Sequence, residues 1–320
     1  MLTFYNKYLK YKNKYIKYKN ETNTTLMGGS RLIINDEGDI NYFKSKIEED
    51  SNFINLLNKV NDIYNIEYIY IRNCYLIKIS KNSNYTNILF AIAGISTKSF
   101  MGTSSIILNN INSLMKKFDI IYLVDYSFYS ESQKIACQKR DIIIENKCEC
   151  IIANIYNPEL EMNKEIASNI NNIINEVSIY HTNSNIHLLG KCNGAWVVIN
   201  MLFNNKNIKK YKGVYLGVPG IPIQGDNIIG LNLISEELTH IFKHIDFKIG
   251  FRSDDGYEFI WRKEKLKSNT ILEIITQEVE IYKNKFGDEN VFYEDNFQPI
   301  KDKGNHEITD IFLEKILHFF

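Results

Sequence analysis

The chain has 320 residues, 44% hydrophobic and 13% aromatic, enough for one large folded domain with a small appendage and far from the composition of a disordered chain. Its 38 basic and 38 acidic residues cancel, so the basic excess that marks a nucleic-acid binder is missing. No apolar run reaches the ~18 residues that span a bilayer, and the N-terminus lacks the apolar core of a secretory signal; a soluble, non-secreted protein is expected.

Residues 1–30 stand apart. Phe4, Tyr8, Tyr11, Tyr15 and Tyr18 recur at helical spacing, and lysines fill much of the remainder, from Lys7 to Lys19. The pattern fades into Asn20–Thr25, and Gly28-Gly29-Ser30 reads as a flexible joint. Two readings stay open: a short helix packed on the main domain by its tyrosines, or a basic amphipathic element that docks on a surface or partner. This Tyr/Lys tract ending in Gly-Gly resembles N-terminal segments on many proteins of the giant amoeba-infecting DNA viruses, and it agrees with an Asn-, Ile-, Lys- and Tyr-rich composition of AT-rich type. The resemblance implies a location in the host cytoplasm or the virion. The same bias accounts for the sequons at Asn20, Asn23 and Asn84.

A helix is expected over 41–63, with Phe43, Ile47, Phe53, Ile54, Leu57 and Val60 on one side. Tyr68–Ile71 and Tyr75–Ile79 then flank Arg72-Asn73-Cys74 as a hairpin. From residue 88 onward apolar runs alternate with amphipathic stretches. Strands are expected at 88–93, 120–124, 186–189, 213–218 and 247–251, and helices at 103–117, 163–180 and 194–204. Strands alternating with helices imply parallel pairing through crossover connections, hence an α/β fold with a mostly parallel central sheet and helices on both faces. The cysteines Cys74, Cys137, Cys148, Cys150 and Cys192 are odd in number and irregularly spaced, which fits free thiols better than a disulfide framework. Cys148 and Cys150 lack the second close pair or spaced histidines that a zinc site needs, so neither metal nor cofactor is expected.

The most informative stretch is Leu188-Leu189-Gly190-Lys191-Cys192-Asn193-Gly194-Ala195-Trp196. A strand ends, a nucleophile-capable residue stands between two glycines, and an apolar helix starts at once. So tight a turn strains its central residue, and small neighbours prevent a clash. Cys192 would then stand above a helix N-terminus, whose dipole and N–H groups favour a thiolate and a developing oxyanion.

With this elbow the chain resembles the α/β-hydrolase family, with cysteine in place of the usual serine, similar to dienelactone hydrolases and polyhydroxyalkanoate synthases. The resemblance spans residues 66–320 and implies further parts in chain order. Ala93-Gly94-Ile95-Ser96 stands where the oxyanion loop is expected, with Ile95 and Asn193 supplying backbone N–H groups; the histidine that often precedes the glycine is here Ala93. His306, in Lys303-Gly304-Asn305-His306-Glu307 before an apolar terminal helix, is the expected general base. The acid that orients it is Asp254 or Asp255, in a loop after the 247–251 strand, with Glu294 and Asp295 as alternatives. The apolar segment 221–245 reads either as a small cap over the site or as plain core. Two functions follow. One is an acyl hydrolase (ester, thioester or lactone) or acyltransferase that takes a small-molecule acyl substrate onto Cys192. The other is an inactive scaffold serving as a binding or virion-associated protein.

Overall fold

The computed structural model describes residues 37–72, 74–81, 86–94, 97–126, 161–203, 210–218, 223–224, 227–228, 236–252, 268–294 and 308–317. The expected N-terminal element and its Gly28-Gly29 joint lie outside them.

Two helices come first, α1 (Glu37–Glu48) and α2 (Ser51–Asn61), where the sequence pattern predicts one. The break is at Asp50, whose extended backbone (φ −107°, ψ 96°) ends one helix while its carboxylate accepts the amide of Phe53 at 3.0 Å and caps the next. The hairpin β1 (Asn65–Ile71) and β2 (Cys74–Ser80) follows as expected, then β3 (Asn87–Ile92). The helix expected at 103–117 is again two, α3 (Thr97–Asn109) and α4 (Ile111–Lys117). Here Asn110 leaves helical geometry, and its side-chain amide donates to the Ile106 carbonyl at 3.0 Å and to Asp310 at 2.8 Å. Strand β4 (Ile120–Asp125), α5 (Glu161–Tyr180), β5 (Asn185–Lys191), α6 (Asn193–Phe203) and β6 (Tyr211–Gly217) continue the alternation. A two-stranded ribbon of β7 (Ile223–Gln224) and β8 (Asn227–Ile228) leads to α7 (Glu236–Phe242). The chain closes with β9 (Asp246–Arg252), α8 (Ser268–Phe286), β10 (Val291–Glu294) and α9 (Asp310–Leu317).

Eight strands form one sheet in the order β1-β2-β4-β3-β5-β6-β9-β10. Only β2 runs against the others; every pairing from β4 to β10 is parallel. The carboxyl ends of β3, β5, β6, β9 and β10 therefore share one edge, with β5 at the centre.

Alternation along each strand sends neighbouring residues to opposite faces. Leu89, Ala91, Ile121, Leu123, Leu189 and Tyr215 pack one face into a cluster with α1, α2, α3, α4 and α9, through residues such as Phe53, Phe100, Leu114 and Phe312. The intervening residues Phe90, Tyr122, Leu188, Val214, Phe247 and Ile249 are equally buried on the opposite face, where α5 to α8 lie. Both layers expected from the alternating pattern are thus present. The segment 221–245 contributes to that second layer: Phe242 of α7 is buried and its ring stacks on Phe247 at 4.1 Å. That end of the segment is core, whereas the side chains of 221–235 lie outside the description. No described helix is long and apolar enough to cross a membrane.

Candidate active site

Cys192 sits in the turn between β5 and α6, at the carboxyl edge of the central strand. Its φ is +56°, in the left-handed region that costs a side-chain-bearing residue about 1–2 kcal/mol. The flanking glycines are required by close approach. A Cβ on Gly190 would lie 2.5 Å from the Gly194 carbonyl oxygen, and one on Gly194 would lie 2.2 Å from the carbonyl oxygen of Ile92. The first turn of α6 thus rests directly on the end of β3. The Cys192 amide donates to the carbonyl of Gly217 at 3.1 Å, and the Cys192 carbonyl accepts from Ala195 at 3.0 Å. Cys192 remains 8% exposed.

Asn193, fully buried, opens α6, so its backbone N–H belongs to the first turn. Its side-chain amide donates to the phenol oxygen of Tyr126 at 3.2 Å. Tyr126 directly follows β4 and is also fully buried. Burial raises the Tyr126 phenol well above its ordinary pKa, the Asn193 hydrogen bond opposes the rise, and the proximity of Cys192, Asp125 and Cys74 adds to it. The group is a neutral hydroxyl under all ordinary conditions. The sequence pattern carried no signal for Tyr126, which reads as a mere strand ending.

A second strained residue lies on the same edge. Val218 has φ +39°, unusual for a β-branched side chain, and its amide donates to Gly250 at 2.8 Å. It follows Gly217, whose bare Cα receives Ile308: a Cβ there would lie 2.2 Å from the Ile308 Cγ2. On the neighbouring strand, a Cβ on Gly250 would lie 2.6 Å from the Phe312 ring. The approach to α9 is therefore seated against β6 and β9, beside the elbow. Thr309 caps α9 by accepting from the Phe312 amide at 3.1 Å and donates its hydroxyl to the Glu294 carboxylate at the end of β10.

Of the residues singled out in the sequence, Gly190, Cys192, Asn193 and Gly194 stand in one tight turn between β5 and α6. Ile95, Asp254, Asp255, Asp295 and His306 lie outside the described residues, as do Cys137, Cys148 and Cys150. Cys74 is fully buried in β2, and burial with the nearby Asp125 carboxylate pushes its thiol pKa up. Among the described residues no group of three or more His, Cys, Asp and Glu side chains is placed to hold a metal ion.

The mostly parallel sheet with helices on both faces, and an elbow at the carboxyl end of its central strand, define an α/β-hydrolase-like fold. No protein-family model matches the sequence, and no curated protein matches it. Among solved structures the chain is similar to a predicted CIB-like hydrolase from Thermoplasma acidophilum, at 12% identity and a TM-score of 0.42 over 80% of this chain and 97% of that one. It is similar to the esterase Pf2001 of Pyrococcus furiosus at 12% identity and a TM-score of 0.40, over 81% and 91% of the two chains. The carboxylesterase CesB of Bacillus subtilis aligns at 10% identity and a TM-score of 0.38, over 76% and 88%.

Proposed function

We propose that the chain is an acyl hydrolase or acyltransferase that works through a thioester on Cys192, with His306 as general base and Asp254 or Asp255 orienting the imidazole. The observation that carries this reading is the strained φ of +56° at a cysteine between two glycines that admit no side chain. An inactive scaffold has no use for that strain, and relaxing it would stabilise the fold.

Chain connectivity supports the remaining assignments. Ile308 is seated on Gly217, whose carbonyl holds the Cys192 amide, and His306 is two residues from Ile308. Two residues of extended chain reach no more than about 7 Å, so the assignment asks for no rearrangement of the described core. Arg252 ends β9 at the same edge, two residues before Asp254. Glu294 stays the alternative acid because it ends β10 on that edge.

In the first step the Cys192 thiolate attacks the acyl carbonyl carbon and a C–S bond forms. The negative charge gathering on the carbonyl oxygen meets the backbone N–H of Asn193 and that of Ile95. The C–O or C–S bond to the leaving group breaks, and His306, carrying the proton taken from Sγ, protonates the departing alcohol or thiol. His306 then takes a proton from water or another acceptor, which attacks the thioester and releases the acyl group and the thiolate. A thioester, activated ester or lactone suits this chemistry better than a peptide, because a thiolate is itself a good leaving group. Segment 221–235 is proposed as a cap over an apolar acyl chain, and residues 1–30 as a separable docking element.

The test is the alkylation rate of each cysteine, measured by mass spectrometry near neutral pH. Cys192 should react much faster than Cys74, and His306→Ala should slow it, as expected for a thiolate–imidazole pair ~3–4 Å apart. Equal rates for the two cysteines, unchanged by His306→Ala, remove the main support for an enzyme.

A further inference from the structure

The hydrogen bond between Asn193 and Tyr126 is not needed to form either the strand or the helix it joins. It links the residue after the proposed nucleophile to β4, which is separated from β5 by β3 in the sheet. Both side chains are fully buried, so water cannot replace either partner. A primary amide is a costly group to bury unpaired, and the buried phenol oxygen is a directional acceptor for it.

The geometry points to Tyr126 as a positioning residue for oxyanion stabilisation: through Asn193 it fixes the orientation of the first peptide of α6. This rests on the acyl-transfer reading of Cys192. The elbow is also held by Gly194 against the Ile92 carbonyl of β3, by the Cys192 amide on the Gly217 carbonyl of β6 and by the Ala195 amide on the Cys192 carbonyl. None of these ties the start of α6 to β4. The Asn193 side chain does, because its Cβ and amide are tied to a ring that cannot move within the core. The neutral phenol also adds no negative charge of its own, as a carboxylate acceptor would.

Acylation and alkylation of Cys192 separate this role from a general loosening of the elbow. Acylation by p-nitrophenyl acetate builds charge on a carbonyl oxygen and depends on the Asn193 N–H. Alkylation by iodoacetamide is displacement at a saturated carbon and develops no carbonyl oxyanion. Tyr126→Phe should slow Cys192 acylation about tenfold, as loss of a hydrogen bond that aligns one donor would, while the iodoacetamide rate changes less than about twofold. Asn193→Leu, which removes the donor and packs the vacated volume, should give the same split. Equal falls in both rates, or neither, in a variant with cooperative thermal unfolding would overturn the inference. If Tyr126→Phe does not fold, Asn193→Leu decides alone. A wild-type protein whose Cys192 is not acylated at all sinks the acyl-transfer reading and this inference with it; acylation that both variants leave intact sinks the inference only.

Discussion

Gly194→Ala probes the elbow most directly. The added Cβ would lie 2.2 Å from the Ile92 carbonyl oxygen and 2.4 Å from that of Ala93, against the ~3.2 Å at which carbon and oxygen normally touch. Both obstacles are backbone atoms at the end of β3, so no rotamer change relieves the overlap. The first turn of α6 must lift from β3 by roughly 1 Å. Overpacking of this kind costs on the order of 1–3 kcal/mol, a fall of roughly 2–10 °C in unfolding midpoint for a domain of this size. The displacement also carries Cys192, Asn193 and their amides away from their place, and a misplacement of about 1 Å costs about 100-fold in rate. Thermal unfolding and Cys192 acylation by p-nitrophenyl acetate measure the two effects. Gly250→Ala is the comparison, because the atoms nearest its Cβ belong to the Phe312 ring, a side chain rather than strand backbone. A Gly194→Ala variant as stable and as readily acylated as wild type would refute the close-approach reasoning.

Two further outcomes follow from backbone strain and buried charge. Cys192→Gly should be about 1 kcal/mol more stable than Cys192→Ala, seen as a higher unfolding midpoint, since only glycine occupies φ +56° without penalty; equal midpoints would show the turn to be unstrained. His187, buried at 2% exposure with its Nδ1 3.1 Å from the Tyr215 phenol, has its pKa pulled down to about 3 by burial first and then by Lys117 and Lys212. A histidine held neutral in the fold but titrating near 6.5 when unfolded contributes stability that is complete above about pH 6.5. That stability is lost as pH falls from there toward 3, with a slope of up to ~1.4 kcal/mol per pH unit. Chemical denaturation at pH 7, 6, 5 and 4 (about one unit apart, to cover that window) should show the fall in wild type and a shallower one in His187→Leu. Parallel curves would place the acid sensitivity elsewhere.

The elbow was legible in the sequence because its physics is local. A strand, two glycines around a nucleophile and an apolar helix all lie within a few residues, and no distant contact is needed to read them. The parallel character of the sheet was legible for the same reason, as strands and helices alternate along the chain. The two split helices were not. Asp50 and Asn110 are polar residues on a helical stripe whose apolar period continues across them, and only their side-chain bonds to Phe53 and to Ile106 and Asp310 reveal the breaks. Tyr126 was invisible because its contact with Asn193 depends on strand order: β4 reaches the elbow only across β3. Gly217 and Gly250 similarly read as ordinary strand glycines until α9 is laid over them. The apolar content of 221–245 suited a cap and a core equally, and Phe242 shows that its end belongs to the core.

The chain carries its own control for what a cysteine needs. Cys74 lies in a regular strand, fully buried, with its thiol pKa driven up by burial and Asp125; packing alone explains it. Cys192 differs on each count that packing would leave free. Its backbone is left-handed, it retains some exposure, and its two neighbours at ±2 are glycines because strand and helix backbones occupy the space of a side chain. Three strands besides its own hold the turn: β3 under Gly194, β6 through Gly217 and β4 through Tyr126. Strain of about 1–2 kcal/mol survives only where surrounding structure over-determines the conformation, and here that structure comes from the sheet's four central strands, β4, β3, β5 and β6. These contacts fix where the Cα and Cβ of Cys192 stand relative to the first turn of α6, and that placement is what the proposed attack beside an oxyanion site would use.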